Sequence, residues 1–200
     1  MKNTQSGRSM VEMLGVLAII GVLSAGALKG YSAAMFRHKT NQTIDIFSQV
    51  LQRFAELENQ NLGNNIDITG ATGLTKYHLI ENCIQTENDE CQLPIGVLYP
   101  FMEYHPDIRG FLGEIEVDFT DSKSCIAFAS AGWGNAVPQE WFSDYGRIYI
   151  GSAGSGGGTT IYGMDGEDFI SQTNMSDIVT GCQICDEREC SVGIVIRGYL

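Results

Sequence analysis

The residues of this chain able to do chemistry fall into three sets. They are a lone carboxylate, Glu12, at the edge of an uncharged apolar run, six cysteines, and the acidic turn Asp165-Gly166-Glu167-Asp168. Glu12 is the most unusual in its place. From Met13 to Leu28 (MLGVLAIIGVLSAGAL) no residue is charged, and a carboxylate inside such a run costs about 2.5–3.5 kcal/mol at a membrane helix centre and less at its end. It therefore calls for a partner. Ser9-Met10-Val11-Glu12 fits a capping box, in which Glu12 accepts from the Ser9 backbone N–H and faces the positive end of the helix dipole.

Cys83, Cys91, Cys125, Cys182, Cys185 and Cys190 all lie beyond the apolar run. An even number so confined reads as three disulfides, with fifteen formal pairings. The expected set is Cys83 with Cys91 as a local loop, Cys125 with Cys182 as a long staple, and Cys185 with Cys190 as a small clip. The long link contributes about 4 kcal/mol in the loop-entropy account. The rival is zinc, because Cys182-Gln183-Ile184-Cys185 is a C-x-x-C with Cys190 close behind. That site needs a fourth ligand, and His38, His78 and His105 are scattered, so no metal is expected. Thioredoxin-like exchange needs the motif between a strand and a helix, and here it follows Gly181 and precedes an acidic turn.

Little else supports catalysis. The acidic turn at 165–168 lacks the spacing of a twelve-residue calcium loop. The Gly154–Gly158 run (GSGGG) is not followed by Lys-Ser or Lys-Thr, so it is no phosphate loop, and neither H-E-x-x-H nor G-x-S-x-G occurs. The chain is expected to be no enzyme and to carry no cofactor.

Certain elements must position these residues. Ser9–Glu12 extends the apolar run to about 30 Å of helix, a bilayer core. Beyond Lys29, Ile44, Phe47, Val50, Leu51 and Phe54 recur at steps of three and four, an amphipathic stripe that must bury against something. Together they predict one helix from about Ser9 to about Glu58, with bending or melting at Gly26, Gly30 and Arg37–Thr43. Gly15, Gly21, Gly26 and Gly30 lie along it, and Gly26 with Gly30 and Gly21 with Ala25 match the small-xxx-small spacing of packed membrane helices. Asn59–Asn65 (NQNLGNN) is a breaker cluster.

The later residues suffice for one head domain. Short helices are expected at Leu74–Cys83, capped by Thr75, at Cys125–Ala129, capped by Asp121 or Ser122, and at Ser176–Thr180, stopped by Gly181. Ile126-Ala127-Phe128 reads alternatively as strand. Strands are expected at Glu114–Thr120, Arg147–Gly151, Thr159–Tyr162 and Gly193–Arg197, with Gly154–Gly158 as a turn. A helix first and antiparallel strands later predict an α+β fold. Residues 1–63 hold six basic and four acidic side chains, and the rest hold six and twenty, so the head carries −14. That field repels nucleic acid and anionic lipid.

The order of the N-terminal signals is decisive. A secretory signal places its cleavage site after the apolar stretch, whereas here Ser6-Gly7 precedes it. Gly7, then Arg8-Ser9-Met10-Val11-Glu12, then MLGVLAIIGVLSAG resembles the prepilin signal of type IV pilins and pseudopilins: a leader ending in Gly, a cut, Glu at the fifth mature position, and about twenty apolar residues. The match is tight over the first thirty residues and looser over Tyr31–Glu58. The phrase SAG after the run and the cysteine placement are more similar to the type IVb branch than to secretion pseudopilins.

The resemblance implies a 1–7 leader, an 8–30 transmembrane and polymerisation helix, a 31–60 amphipathic spine and a 61–200 head of pilin fold. It implies cleavage after Gly7 by a prepilin peptidase and N-methylation of Arg8, which stands where the family usually has Phe, Met or Leu. It implies that Glu12 pairs with the amine of a neighbouring subunit, with Gly15, Gly21, Gly26 and Gly30 at the packing surface. The partners implied are like subunits, an inner-membrane assembly platform and the bilayer, not nucleic acid. The location implied is a bacterial inner membrane with the head periplasmic, then a pilus or pseudopilus. Orientation comes from the resemblance, because Lys29, Arg37 and Lys39 outnumber Lys2 and Arg8. The alternative is an anchored periplasmic binding domain that never polymerises, with Trp133, Trp141 and Phe142 as its ligand surface.

Overall fold

A stripe of Phe47, Val50, Leu51 and Phe54 on one helix needs a second apolar layer, and the order of elements supplies one. In the computed structural model the chain forms α1 (Met10–Asn59), β1 (Asp67–Thr69), α2 (Gly70–Lys76), β2 (Ile84–Gln85), β3 (Cys91–Gln92), β4 (Val97–His105) and β5 (Gly110–Phe119). Then follow α3 (Ser122–Ala129), β6 (Arg147–Ser152), β7 (Gly158–Asp165), β8 (Asp168–Ile170), α4 (Met175–Cys182) and β9 (Cys190–Tyr199). The structure describes residues 10–59, 67–81, 83–105, 110–142, 146–154 and 158–199. Two compact units result, Met1–Lys39 and Thr40–Leu200.

In the second unit nine strands make one antiparallel sheet in the order β2-β3-β4-β5-β9-β6-β7-β8, with β1 also paired to β4. Alternation sets its faces. Ile115, Val117 and Phe119 of β5, Val192, Ile194 and Ile196 of β9, and Ile148 and Ile150 of β6 share one core with Phe47, Val50, Leu51 and Phe54. Residues of α2, α3 and α4 complete that core. The chain is thus α+β, a long helix and a disulfide-linked antiparallel head.

Phe47 stands edge-on to Phe128 at 5.1 Å and to Trp133 at 5.0 Å, and the Trp133 indole N–H donates to the Phe128 carbonyl at 2.8 Å. Trp133, Trp141 and Phe142 are all buried. They build the core and offer no ligand surface, with Trp133 against Phe47 of α1 and Phe142 edge-on to Tyr162 of β7 at 5.0 Å.

Several elements differ from expectation for identifiable reasons. The helix α1 runs unbroken through Gly26, Gly30 and residues 37–43, so the expected melting does not occur. Thr43 is fully buried there, and its hydroxyl accepts from the Ile95 backbone N–H at 3.1 Å, which pins the polar stretch. The helix expected at Leu74–Cys83 lies instead at Gly70–Lys76. Thr75 donates its hydroxyl back to the Ala71 carbonyl at 2.9 Å, so it sits inside the helix and caps nothing. His78, at φ 55°, then turns the chain away.

Gly181 does not stop α4, which continues to Cys182. A Cβ at Gly181 would meet Ile150 at 3.1 Å, so this glycine lets α4 approach β6 closely. Residues 122–129 are helix, not strand, because the Asp121 carboxylate accepts from the Ser124 N–H at 2.8 Å and satisfies an orphan donor of the first turn.

The long β4 has no clean sequence signal, since Pro100 interrupts it. The pairing explains why Pro100 is tolerated. On one side β3 pairs with Val97 and Leu98 and β1 with Phe101 to Glu103, so Pro100 falls in the gap where no neighbour needs its N–H.

The structure joins Cys83 to Cys91, Cys125 to Cys182 and Cys185 to Cys190, with Cα separations of 5.4, 5.7 and 4.9 Å. The Cys125–Cys182 bond ties α3 to α4 beside the sheet's central strands. Phe47→Ala should destabilise the head by about 3–5 kcal/mol, read as a lower denaturation midpoint by tryptophan fluorescence of the detergent-solubilised chain.

Candidate functional site

The first unit is dominated by uncovered apolar surface. From Met10 (85 % exposed) through Ile20 (52 %) to Tyr31 (67 %), its large apolar side chains stand in the open, and α1 is long and apolar enough to cross a membrane. Surface of that kind is unfavourable in water by about 25 cal/mol per Å². Glu12 occupies the first turn of α1, where the helix dipole favours a negative charge. Gly7, Arg8 and the capping partner Ser9 lie outside the described residues.

A Cβ placed on Gly15, Gly21, Gly26 or Gly30 would meet nothing within 4 Å. Nothing among the described residues requires these glycines, although each costs a helix about 1 kcal/mol relative to alanine in water. At about 100° per residue, Glu12, Gly15, Gly26 and Gly30 fall within roughly 60° of one another. Gly21 lies on a different face. One side of the helix thus offers a carboxylate near its end and bare backbone at Gly15, Gly26 and Gly30, with the exposed Ile19 between them, a geometry suited to another helix.

A second site lies on the head, on the sheet face opposite the core. Glu114, Glu116 and Asp118 alternate with Ile115 and Val117 along β5, and a half-buried strand would leave them in water. Glu116 is covered instead, at only 5 % exposed, while Glu114 and Asp118 are half-buried. The cover is Tyr149. In the sheet register, Tyr149 of β6, Gly193 of β9 and Glu116 of β5 stand side by side. A Cβ on Gly193 would lie 2.5 Å from the tyrosine ring, so the missing side chain lets the ring lie across β9. Its hydroxyl then reaches Glu114 and, at 3.2 Å, Glu116.

A phenol has one proton and two carboxylates to serve. Burial, then donation to Glu114, raises the Tyr149 pKa far above the ordinary phenol value. Burial, then the charge of Glu114, raises Glu116, which in its protonated form can donate to the phenol oxygen. Asp118 is pushed up to about 7, first by burial and then by the charges of Glu116, Glu90, Glu189 and Glu114. Its Oδ1 is buried without a hydrogen-bond partner among the described residues. Beside this cluster an open groove of about 460 Å³ is lined by Phe101, Leu112, Glu114, Arg147, Met164 and Val195. Phe101 and Leu112 remain 40 % and 39 % exposed.

This cluster lies outside the residues expected from the sequence to do chemistry, although its signal is present there. Acids at every second position of EIEVDF share a strand face, and a glycine inside a strand marks close approach.

The remaining candidates are dispersed. His38 is on α1 and exposed, His78 follows α2, and the His105 side chain lies outside the described residues. Asp165 and Asp168 flank the exposed β7–β8 turn. The cysteines are not dispersed. The fold brings Cys125 beside Cys185 and Cys190, their sulfurs all within 4.8 Å of one another, a proximity that spacing along the chain could not reveal. No family model and no curated protein matches this chain.

The buried acids give the head a defined pH response. Folded, Asp118 keeps its proton up to about pH 7, whereas its ordinary value is 3.8. Between these values the folded state binds more protons than the unfolded one, so stability falls as pH rises through the window and levels off above it. The melting temperature should therefore drop by at least ~3 °C from pH 5 to pH 8, and Asp118→Asn should flatten the slope. Gly193→Ala should displace the Tyr149 ring, lower the melting temperature, and raise the tyrosine's accessibility to nitration.

Proposed function

We propose that this chain is a structural filament subunit of the type IV pilus or pseudopilus class. The leader is cut after Gly7, the apolar helix holds the subunit in a membrane, and the same helix then packs against copies or relatives of the chain to form a fibre. The observation that carries this reading is the uncovered apolar surface of Met10–Tyr31, with Glu12 at one end and bare glycine backbone on the same side.

Such a surface needs lipid or like helices around it, and a filament core supplies the second when the helix leaves the first. In lipid Glu12 at the dipole's positive end is tolerated. In a fibre a neighbour's freed amine completes it. The proposal assigns the head the role of outer shell, for which three disulfides and a charge of −14 suit it, because crosslinks limit unfolding outside the cell and charge keeps surfaces soluble. The rival anchored binding domain loses its proposed ligand surface, since its three aromatics are in the core.

Three measurements test the reading. The mature chain should begin at Arg8, and mass spectrometry of its N-terminal peptide shows whether it does and whether Arg8 is methylated. Glu12→Ala should leave the protein in membranes yet abolish fibres in the sheared fraction, and normal fibres from that variant would contradict the assignment. Gly26→Ala with Gly30→Ala should keep or raise helix content in detergent while lowering fibre yield, since alanine favours the isolated helix and covers that bare backbone.

A further inference from the structure

We propose that Cys125, Cys182, Cys185 and Cys190, when reduced, form a closed four-thiolate site for one zinc-class divalent ion. In the oxidised chain they make two disulfides, Cys125–Cys182 and Cys185–Cys190. The sulfurs of Cys125, Cys185 and Cys190 already lie within 4.8 Å of one another, and Cys182 is bonded to the first of them. Four sulfurs therefore share one buried pocket of the core, at 0, 0, 3 and 0 % exposure in chain order.

A tetrahedral zinc site has bonds of about 2.3 Å and hence sulfur–sulfur edges of about 3.8 Å. Reaching it requires the Cys125 sulfur to close on those of Cys185 and Cys190 by up to about an ångström, the Cys182 sulfur to follow over a longer path, and bonded sulfurs to part by about two, changes that cysteine side-chain torsions deliver. The backbone is arranged for this. Cys182 ends α4, Cys185 sits in the 3-10 turn Gln183–Asp186, and Cys190 opens β9. Between them the Glu187 and Arg188 N–H groups both donate to the Ile184 carbonyl, at 3.2 and 3.1 Å, folding the nine-residue segment into a tight knuckle. Cys125 enters from α3 as the fourth ligand.

Four soft thiolates in a dry pocket select zinc over the oxygen-seeking calcium and magnesium. The pair Cys83–Cys91 is not part of the cluster and serves as an internal control.

Each disulfide takes two electrons from a trialkylphosphine and, with one water, gives two thiols and a phosphine oxide. The ion then displaces four protons from four thiols. Reoxidation by two equivalents of a small-molecule disulfide, each taking two electrons and two protons and leaving as two thiols, re-forms both protein disulfides, removes all four ligands and releases the ion, so metal and disulfide states exclude each other.

The test uses the full chain in detergent, reduced with a trialkylphosphine and titrated with cobalt. One ion per chain should bind, with the intense sulfur-to-cobalt charge-transfer band and d–d bands of a tetrahedral four-thiolate site, and zinc should displace it one for one. The oxidised chain should give neither signal. Cys83→Ser with Cys91→Ser should leave the spectrum intact, Cys125→Ser should weaken binding and reduce the charge-transfer intensity, and Cys125→His should restore binding with a three-sulfur, one-nitrogen spectrum. A reduced chain that gives no tetrahedral cobalt spectrum, or one whose spectrum is unchanged in Cys125→Ser, overturns the proposal.

Discussion

An apolar helical surface that the chain itself does not cover is the constraint on which everything else here rests. Between Met10 and Tyr31 every large apolar side chain is exposed, and water opposes that exposure in proportion to its area. The head has the opposite design. The second half of the same helix buries Phe47, Val50, Leu51 and Phe54 completely, so a single element changes from a surface that seeks company elsewhere to one satisfied within the chain. The change falls near Thr40 and Thr43, both buried, where polar side chains mark the switch.

The head contains an internal tension of its own. A sheet covered by helices on one face commonly leaves the other to water, and β5 carries three acids on that outer side. Tyr149 nevertheless roofs over two of them, Glu114 and Glu116, making a compact hydrogen-bonded knot beside Asp118. Desolvation outweighs neighbouring charge as the cause of the raised acid pKa values. The result is a fold that holds protons its unfolded chain would release, close to the pH at which cells and their surroundings differ.

Much of this architecture was legible in the sequence. The three-and-four spacing of Ile44 to Phe54 marks the amphipathic half of α1, the alternation of EIEVDFT marks β5, and Asp121 before Ser124 marks the start of α3. What was hidden depended on contacts distant in sequence. Pro100 conceals β4 because its acceptability rests on where β1 and β3 end. Gly181 reads locally as a helix stop, yet it serves the approach of α4 to Ile150. Thr75 reads as a cap and acts as a back-bonded interior residue. Of the candidate sites, Glu12 and the helix glycines were visible as residue types at a spacing. The tyrosine roof was not, nor was the nearness of Cys125 to Cys185 and Cys190, since each joins strands or helices that only the fold brings together.

That order has a temporal consequence. β9, the last strand in the chain, occupies the middle of the sheet, with β5 on one side and β6 on the other. Until it arrives, two half-sheets face each other with unpaired inner edges and no means of joining. A chain that emerges from its amino end must therefore keep β5 and β6 unjoined until residues 190–199 follow, and only then can the sheet close across its middle.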